Sequence, residues 1–167
     1  HGKEPYFMER VVEKLSEKVV PEGQRDFNVS TMYGKDTDVQ QVVDQARRVP
    51  MMAERQLIIL KEAQEMSQLD DLLNYVQHPT PSTVLVMIYK HKRLDQRTKL
   101  AKAIKKHGLV FESKPVYDNQ LPGWIMRFVK NSRYKIEKKA ALMIAEYLGS
   151  DLEKLVNEME KIFLNIE

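Results

Sequence analysis

The chain contains two short apolar runs, Leu57-Ile58-Ile59-Leu60 and Thr83-Val84-Leu85-Val86-Met87-Ile88-Tyr89. Neither run alternates between apolar and polar residues. Continuous apolar runs of this length are typical of strands that are covered on both faces, and such strands are usually parallel. The two runs therefore predict a parallel sheet with helices on both sides.

The segments around these runs alternate between helical and strand patterns. Apolar residues recur every three or four positions in residues 4–20, which predicts an amphipathic helix that ends at Pro21. Residues 27–33 alternate with a period of two, which predicts a strand. Further patterns predict helices over residues 39–49, 69–76 and 94–107 and a short strand over residues 109–111. Residues 1–114 are thus predicted to form one α/β unit.

The strand patterns stop after Pro115. Three helical stretches follow, over residues 122–131, 136–148 and 150–166. We therefore predict a second, small three-helix domain over residues 115–167.

Composition excludes several classes of protein. The 167 residues are 43% hydrophobic and 31% charged, as is ordinary for a globular protein, and they include no cysteine. Disulfides, thiolate metal sites and cysteine nucleophiles are therefore excluded, and a reducing cytoplasm is the expected compartment. No apolar run approaches the roughly 18 residues of a membrane span, so we expect no membrane contact.

The sequence offers little to support catalysis. The four histidines lie at no metal-ligand spacing, and no serine occupies a Gly-x-Ser-x-Gly turn. The segment before the first helix is the one candidate phosphate loop, but there Glu4 would repel phosphate and Pro5 lacks an amide donor. We predict no catalytic residue, no metal and no cofactor.

One segment is locally basic. Residues 90–106 contain a single acid, Asp95, and eight basic residues: Lys90, Lys92, Arg93, Arg97, Lys99, Lys102, Lys105 and Lys106. A solvated helix face is one interpretation. Contact with DNA or with a neighbouring protein is the other, and on that interpretation the chain is a nucleic-acid-binding module.

Four segments together resemble the delta subunit family of the bacterial DNA polymerase III clamp loader, in the form found in Bacteroidetes-like sequences. They are His1-Gly2-Lys3-Glu4-Pro5-Tyr6-Phe7, Val49-Pro50-Met51-Met52-Ala53-Glu54-Arg55-Gln56, Tyr89-Lys90-His91-Lys92-Arg93-Leu94-Asp95 and Gly149-Ser150-Asp151-Leu152. The resemblance implies a degenerate AAA+ module with a RecA-like first domain, a helical lid and no bound nucleotide. Leu152 stands where active relatives carry a phosphate-contacting arginine. On the same resemblance, the first strand of the sheet and a C-terminal collar domain are expected to lie outside the chain.

The resemblance also implies a binding site. In that family two adjacent apolar residues at the tip of the first domain bind the sliding clamp, and here they are Met51 and Met52, after Pro50. Methionine often fills gaps in a core, but Pro50 and the polar residues that follow the pair favour exposure. Relatives carry Leu and Phe at the two positions, and this departure bears on affinity more than on location.

The implied function is that of a non-catalytic subunit of a DNA-directed DNA polymerase (nucleotidyltransferase) holoenzyme. It would bind the beta sliding clamp and open its ring during DNA replication, without binding or hydrolysing ATP itself. Its partners would be the clamp, the gamma/tau and delta prime loader subunits in the full-length protein, and DNA indirectly through the complex.

Overall fold

The structure, a computed structural model, describes residues 1–166 and divides into two compact units, His1–Lys114 and Pro115–Glu167. The first unit contains a three-stranded parallel sheet with the order β1-β2-β3. Its strands are β1 (Val29–Tyr33), β2 (Gln56–Lys61) and β3 (Thr83–Met87). The predicted α/β fold class is confirmed.

The central strand β2 explains why residues 57–60 carry no polar side chain. Leu57 and Ile59 pack with Met8 and Val12 of the first helix on one face of the sheet. The next residues in the strand point to the opposite face, where Leu60 packs in a cluster with Val42, Leu72 and Leu100. Both faces of β2 are therefore covered, as its apolar run predicts.

Five helices accompany this sheet: α1 (Pro5–Val19), α2 (Arg25–Asn28), α3 (Val39–Arg47), α4 (Leu73–Gln77) and α5 (Lys99–His107). Short 3₁₀ turns lie at Glu22–Gln24, Ala63–Glu65 and Leu69–Leu72. Local capping sets several of the helix starts. The Asp38 carboxylate accepts from the Gln41 amide at 2.8 Å, and the Gln41 side chain accepts from the Asp38 amide in return, which closes a capping box on α3.

Two of the predicted strands need correction. Residues 27 and 28 belong to the helical turn α2 and not to β1, so the alternating pattern was extended two residues too far. Residues 109–111 form no strand, and Leu109 is 97% exposed and so contributes nothing to a core. Instead Ser113 makes an isolated bridge with Gly2.

Two further predictions in this unit were partly wrong. The fifth helix begins at Lys99 and not at residue 94, because the Thr98 hydroxyl caps it by accepting from the Ala101 amide at 3.1 Å. Strand β3 is half-buried along its length and not fully buried. Within residues 1–166 it has only β2 as a neighbouring strand, so it is less enclosed than β2.

The second unit contains α6 (Leu121–Asn131), α7 (Lys138–Leu148) and α8 (Leu152–Leu164), preceded by a 3₁₀ turn at Asp118–Gln120. Phe163 stacks on Phe128 and on Tyr134, with ring centroids 6.1 and 4.5 Å apart. The Asp151 carboxylate caps α8 by accepting from the Lys154 amide at 3.0 Å, and Leu152, the first helical residue, is buried. Three helices are predicted here, and the described residues of this unit contain three.

Across the described part of the chain, none of the helices combines the length and the apolar character that crossing a bilayer requires.

Candidate functional site

The loop of residues 48–55 joins α3 to β2 and carries the predicted methionine pair. Met51 is 58% exposed and Met52 is 91% exposed, while Pro50 before them is half-buried. Val49 is also largely exposed. Because solvent rather than a core surrounds these side chains, the loop presents an apolar surface.

Asn28 anchors this loop. It is 3% exposed, and its Oδ1 accepts from the Met51 amide at 2.7 Å while its Nδ2 donates to the Met51 carbonyl at 2.8 Å. The same Nδ2 donates to the Gln24 carbonyl at 2.9 Å. One buried side-chain amide therefore holds the backbone of Met51 from both sides, in the manner of a strand pairing.

Met52 has a left-handed backbone conformation, with φ of +54°. This conformation costs an L-residue about 1 to 2 kcal/mol, and glycine is the residue that adopts it freely. The chain thus holds a long apolar side chain, exposed to solvent, on strained backbone. Strain of this kind persists only where surrounding contacts enforce it, and it is concentrated at functional sites.

An open groove of about 940 Å³ lies beside Met52. Its lining residues come from the end of α1, the following turn and the loop itself: Glu17, Lys18, Val19, Pro21, Gln24, Met52, Ala53, Glu54 and Arg55. Phe27, three residues after Gln24, is a large exposed aromatic side chain on the turn that also carries Asn28. Met52 therefore lines an open groove that also contains charged side chains.

The far end of the loop is fixed by a second buried amide, that of Gln56 at the start of β2. Gln56 Nε2 donates to the Arg48 carbonyl at 2.7 Å and to Thr83 Oγ1 at 2.9 Å. Thr83 in turn donates to the Ala46 carbonyl at 2.7 Å. These bonds satisfy carbonyls at the end of α3 and tie the loop to β2 and β3.

The predicted basic residues lie elsewhere. Parallel strands all begin at one edge of a sheet, and the methionine loop precedes β2 at that edge, whereas Lys90, Lys92 and Arg93 follow β3 at the opposite edge. Five strand residues separate the two edges by about 16 Å. The structure therefore does not bring the two sets of predicted site residues together.

Acidic side chains reduce the positive charge of the basic segment. Lys92 pairs with Glu65 at 3.3 Å, and Arg93 pairs with Glu112 at 3.3 Å. Arg97 forms hydrogen bonds and an ion pair with Asp95, and these lower the pKa of that carboxyl to about 2. The backbone amide of Lys90 donates to Gln64 Oε1 at 3.1 Å. Two of these three acids, Glu65 and Glu112, lie outside residues 90–106. The count of charged residues within the segment therefore overstates its net positive charge.

The start of the chain, where a phosphate loop would be sought, is held by internal contacts. The Glu4 side chain accepts from the Tyr6 amide at 3.1 Å and so covers the N-terminus of α1, which Pro5 begins. The Gly2 amide lies 3.2 Å from the Lys92 carbonyl, and a Cβ at Gly2 would meet the Ser113 carbonyl oxygen at 2.0 Å. A carboxylate thus stands where a phosphate-binding helix presents free amides.

Two residues of the site were missed from the sequence. The alternating pattern places Asn28 in a strand, and Gln56 stands out only as part of a segment that resembles the family. Asn28 acts on a residue 23 positions away, and Gln56 reaches Thr83, 27 positions away. No local pattern reports such contacts, since they depend on how the turn, the loop and the strands meet.

Residues 1–114 combine a parallel α/β fold with an exposed apolar loop, and a helical unit follows them in sequence. Residues 1–114 match the family model for the DNA polymerase III delta subunit, and the chain belongs to this family. The predicted resemblance is confirmed.

The chain is also similar to individual proteins. The chain is 27% identical over 172 residues to the DNA polymerase III subunit delta of Bacillus subtilis (strain 168), covering 97% of this chain and 50% of that protein. It superposes on the structure of the Bacillus subtilis DNA clamp loader delta protein with a TM-score of 0.80 at 28% identity, covering 99% of this chain and 52% of that one. A DNA polymerase III gamma subunit-related protein of Thermotoga maritima has a TM-score of 0.48 at 16% identity, with coverage of 89% and 53%. The chain spans about half the length of the two Bacillus subtilis sequences that it matches.

Proposed function

We propose that this chain is the clamp-binding part of a clamp loader delta subunit. In this proposal Met51 and Met52, presented after Pro50, insert into an apolar pocket on the beta sliding clamp. The observation that carries the proposal is the exposed methionine pair on a loop whose backbone is held by Asn28. Family membership supports the same partner, because a clamp loader acts on a clamp.

The energetics fit a small contact of this kind. Burying an apolar side chain of this size contributes about 1.5 to 3 kcal/mol, and a few such anchors carry most of the affinity of an interface. A loop that is already ordered also loses less conformational entropy when it binds. The anchored loop therefore supports binding through two side chains.

Ring opening requires more than binding. A ligand shifts a conformational equilibrium only by the difference in its affinity for the two states. We propose that the methionine pair fits the open or relaxed clamp better than the closed one, so that binding holds a subunit interface of the ring apart. ATP would be consumed by other subunits, with gamma/tau and delta prime as partners in the full-length protein and DNA contacted through the complex.

We further propose that the chain itself is non-catalytic. The Glu4 carboxylate at the N-terminus of α1 supports this, because it places negative charge where a triphosphate would need amide donors. Titration of the chain with Mg-ATP should give no saturable binding, as followed by calorimetry. Saturable binding of ATP would contradict this part of the proposal.

The test of clamp binding is the double substitution Met51→Ala, Met52→Ala. Because both side chains are exposed, the fold should be retained, while loss of about 3 kcal/mol of contact should weaken clamp binding roughly a hundredfold. Surface plasmon resonance with the clamp of the same organism measures the affinity, and circular dichroism measures the fold.

Leu109→Ala is the matched control, since Leu109 is an exposed apolar residue outside the loop. It should leave the affinity unchanged. Clamp affinity that survives in the folded double variant would refute the assignment of the methionine pair.

A further inference from the structure

Asn28 is a buried polar residue that the clamp-binding proposal does not by itself explain. Its side chain makes three hydrogen bonds, two of them to the backbone of Met51 and one to the Gln24 carbonyl. A buried side-chain amide usually forms hydrogen bonds with backbone groups or with water. Here its main partner is the loop that carries the methionine pair.

The loop needs such an anchor. Met52 has positive φ, and both methionine side chains face solvent. Folding apolar side chains back onto the protein and relaxing a strained backbone both lower the free energy. A loop like this one therefore stays exposed only if its backbone is fixed. The paired bonds to the Met51 amide and carbonyl fix it one residue before the strained position.

Asn28 also connects the methionine loop to the sheet. It lies directly before β1, whose first residue, Val29, is in register with Leu57 of the central strand. Its side chain therefore reaches from the start of β1 to the backbone of the loop. Position and hydrogen bonding together tie Met51 to the most buried part of the unit.

We infer that Asn28 is a positioning residue for clamp binding, which holds Met51 and Met52 in the conformation that the clamp accepts. This inference rests on the proposed function. Asn28 itself touches no clamp atom in this scheme, because it is buried behind the loop. Its effect on affinity passes through the backbone of Met51.

The experiment compares Asn28→Ala with Ser113→Ala in the 167-residue chain. Both substitutions remove a buried polar side chain from the same unit, so both should lower the unfolding temperature. Only Asn28 bonds the methionine backbone, whereas the Ser113 hydroxyl donates to the Glu4 carbonyl at 2.6 Å. Clamp affinity, measured below the unfolding transition of every variant, should fall about tenfold in Asn28→Ala and stay within about twofold in Ser113→Ala.

Two further readouts separate positioning from general weakening. Hydrogen exchange of the Met51 amide should accelerate in Asn28→Ala and not in Ser113→Ala, since that amide donates to Asn28. The affinity loss should also shrink when Asn28→Ala is combined with Met51→Ala, Met52→Ala, because the two changes act on one contact.

The possible outcomes are distinct. Unchanged clamp affinity in folded Asn28→Ala, or equal losses in Asn28→Ala and Ser113→Ala, would overturn the positioning role while leaving the clamp-binding proposal intact. Absence of clamp binding by the unaltered chain would overturn the proposed function, and the positioning role with it.

Discussion

Met52 combines two features that oppose each other in an ordinary surface loop. Its backbone has φ of +54°, where glycine is favoured, and its side chain is almost completely exposed. Neither feature stabilises the isolated chain. Contact with a partner in a complex would account for an exposed methionine at this position, and this is the role that we propose for Met52.

Met52→Gly tests this opposition between folding and binding. Glycine relieves the left-handed strain, but it also has greater freedom in the unfolded chain. The free energy of unfolding should therefore stay unchanged or rise by up to about 1 kcal/mol. Clamp affinity should fall about tenfold or more, because one apolar anchor is lost. Denaturant unfolding and surface plasmon resonance measure the two quantities.

Gln68→Gly is the control for this variant. Gln68 is exposed and has φ of +55°, so its substitution relieves the same backbone strain far from the methionine pair in sequence. Its clamp affinity should equal that of the unaltered chain. If Met52→Gly bound the clamp as tightly as this control, Met52 would be no anchor.

At the scale of elements, the sheet separates two surfaces. The loop before β2 carries the apolar site, and the segment after β3 carries the basic residues at the other edge. The basic segment is also partly neutralised, since Glu65 and Glu112 approach it from other elements. Exposed pairs of this type contribute little to stability, so changing them should leave the fold intact.

The triple substitution Lys92→Gln, Arg93→Gln, Arg97→Gln tests whether this segment takes part in clamp binding. Clamp affinity should stay within about twofold of the unaltered chain, because the predicted contact is apolar and lies at the opposite edge. Raising the salt from about 50 to about 200 mM should also change clamp affinity little, whereas a contact with about four phosphates would lose roughly a hundredfold. Affinity measurements across a salt series decide between these expectations.

A strong loss of clamp affinity in the triple variant would show that the clamp surface extends to the basic segment. Salt-sensitive binding of DNA by the chain, lost in the same variant, would revive the nucleic-acid-binding interpretation.

At the scale of the whole molecule, every residue of the proposed site lies in the unit His1–Lys114. Asn28, Gln56 and Thr83, which fix the loop, belong to the same unit as the methionine pair. This unit also contains its own buried clusters on both faces of the sheet. Clamp binding should therefore be a property of this unit.

A chain of residues 1–114 should fold and bind the clamp within about threefold of the affinity of the 167-residue chain. Circular dichroism verifies folding, and the same binding assay measures affinity. Residues 115–167 alone serve as the control and should show no saturable binding. A folded 1–114 chain without clamp affinity would place part of the binding surface in the helical unit.

Local patterns in the sequence were sufficient for the architecture and for the exposed loop. The continuous apolar run at residues 57–60 correctly predicts a strand covered on both faces, whereas the run at residues 83–89 overstates the burial of β3. Pro50 and the polar residues after Met52 indicate a loop outside the core. The resemblance of four segments identified the family.

Only the tertiary structure revealed how the loop is held and how the charges are paired. The bonds from Asn28 to Met51 and from Gln56 to Thr83, like the ion pairs of Lys92 and Arg93, join residues that are distant in sequence. Hydrophobic periodicity records which face of an element is buried, but not which polar groups meet across elements. The sequence therefore determined where the apolar pair lies, and the packing of the turn, loop and sheet determined its conformation.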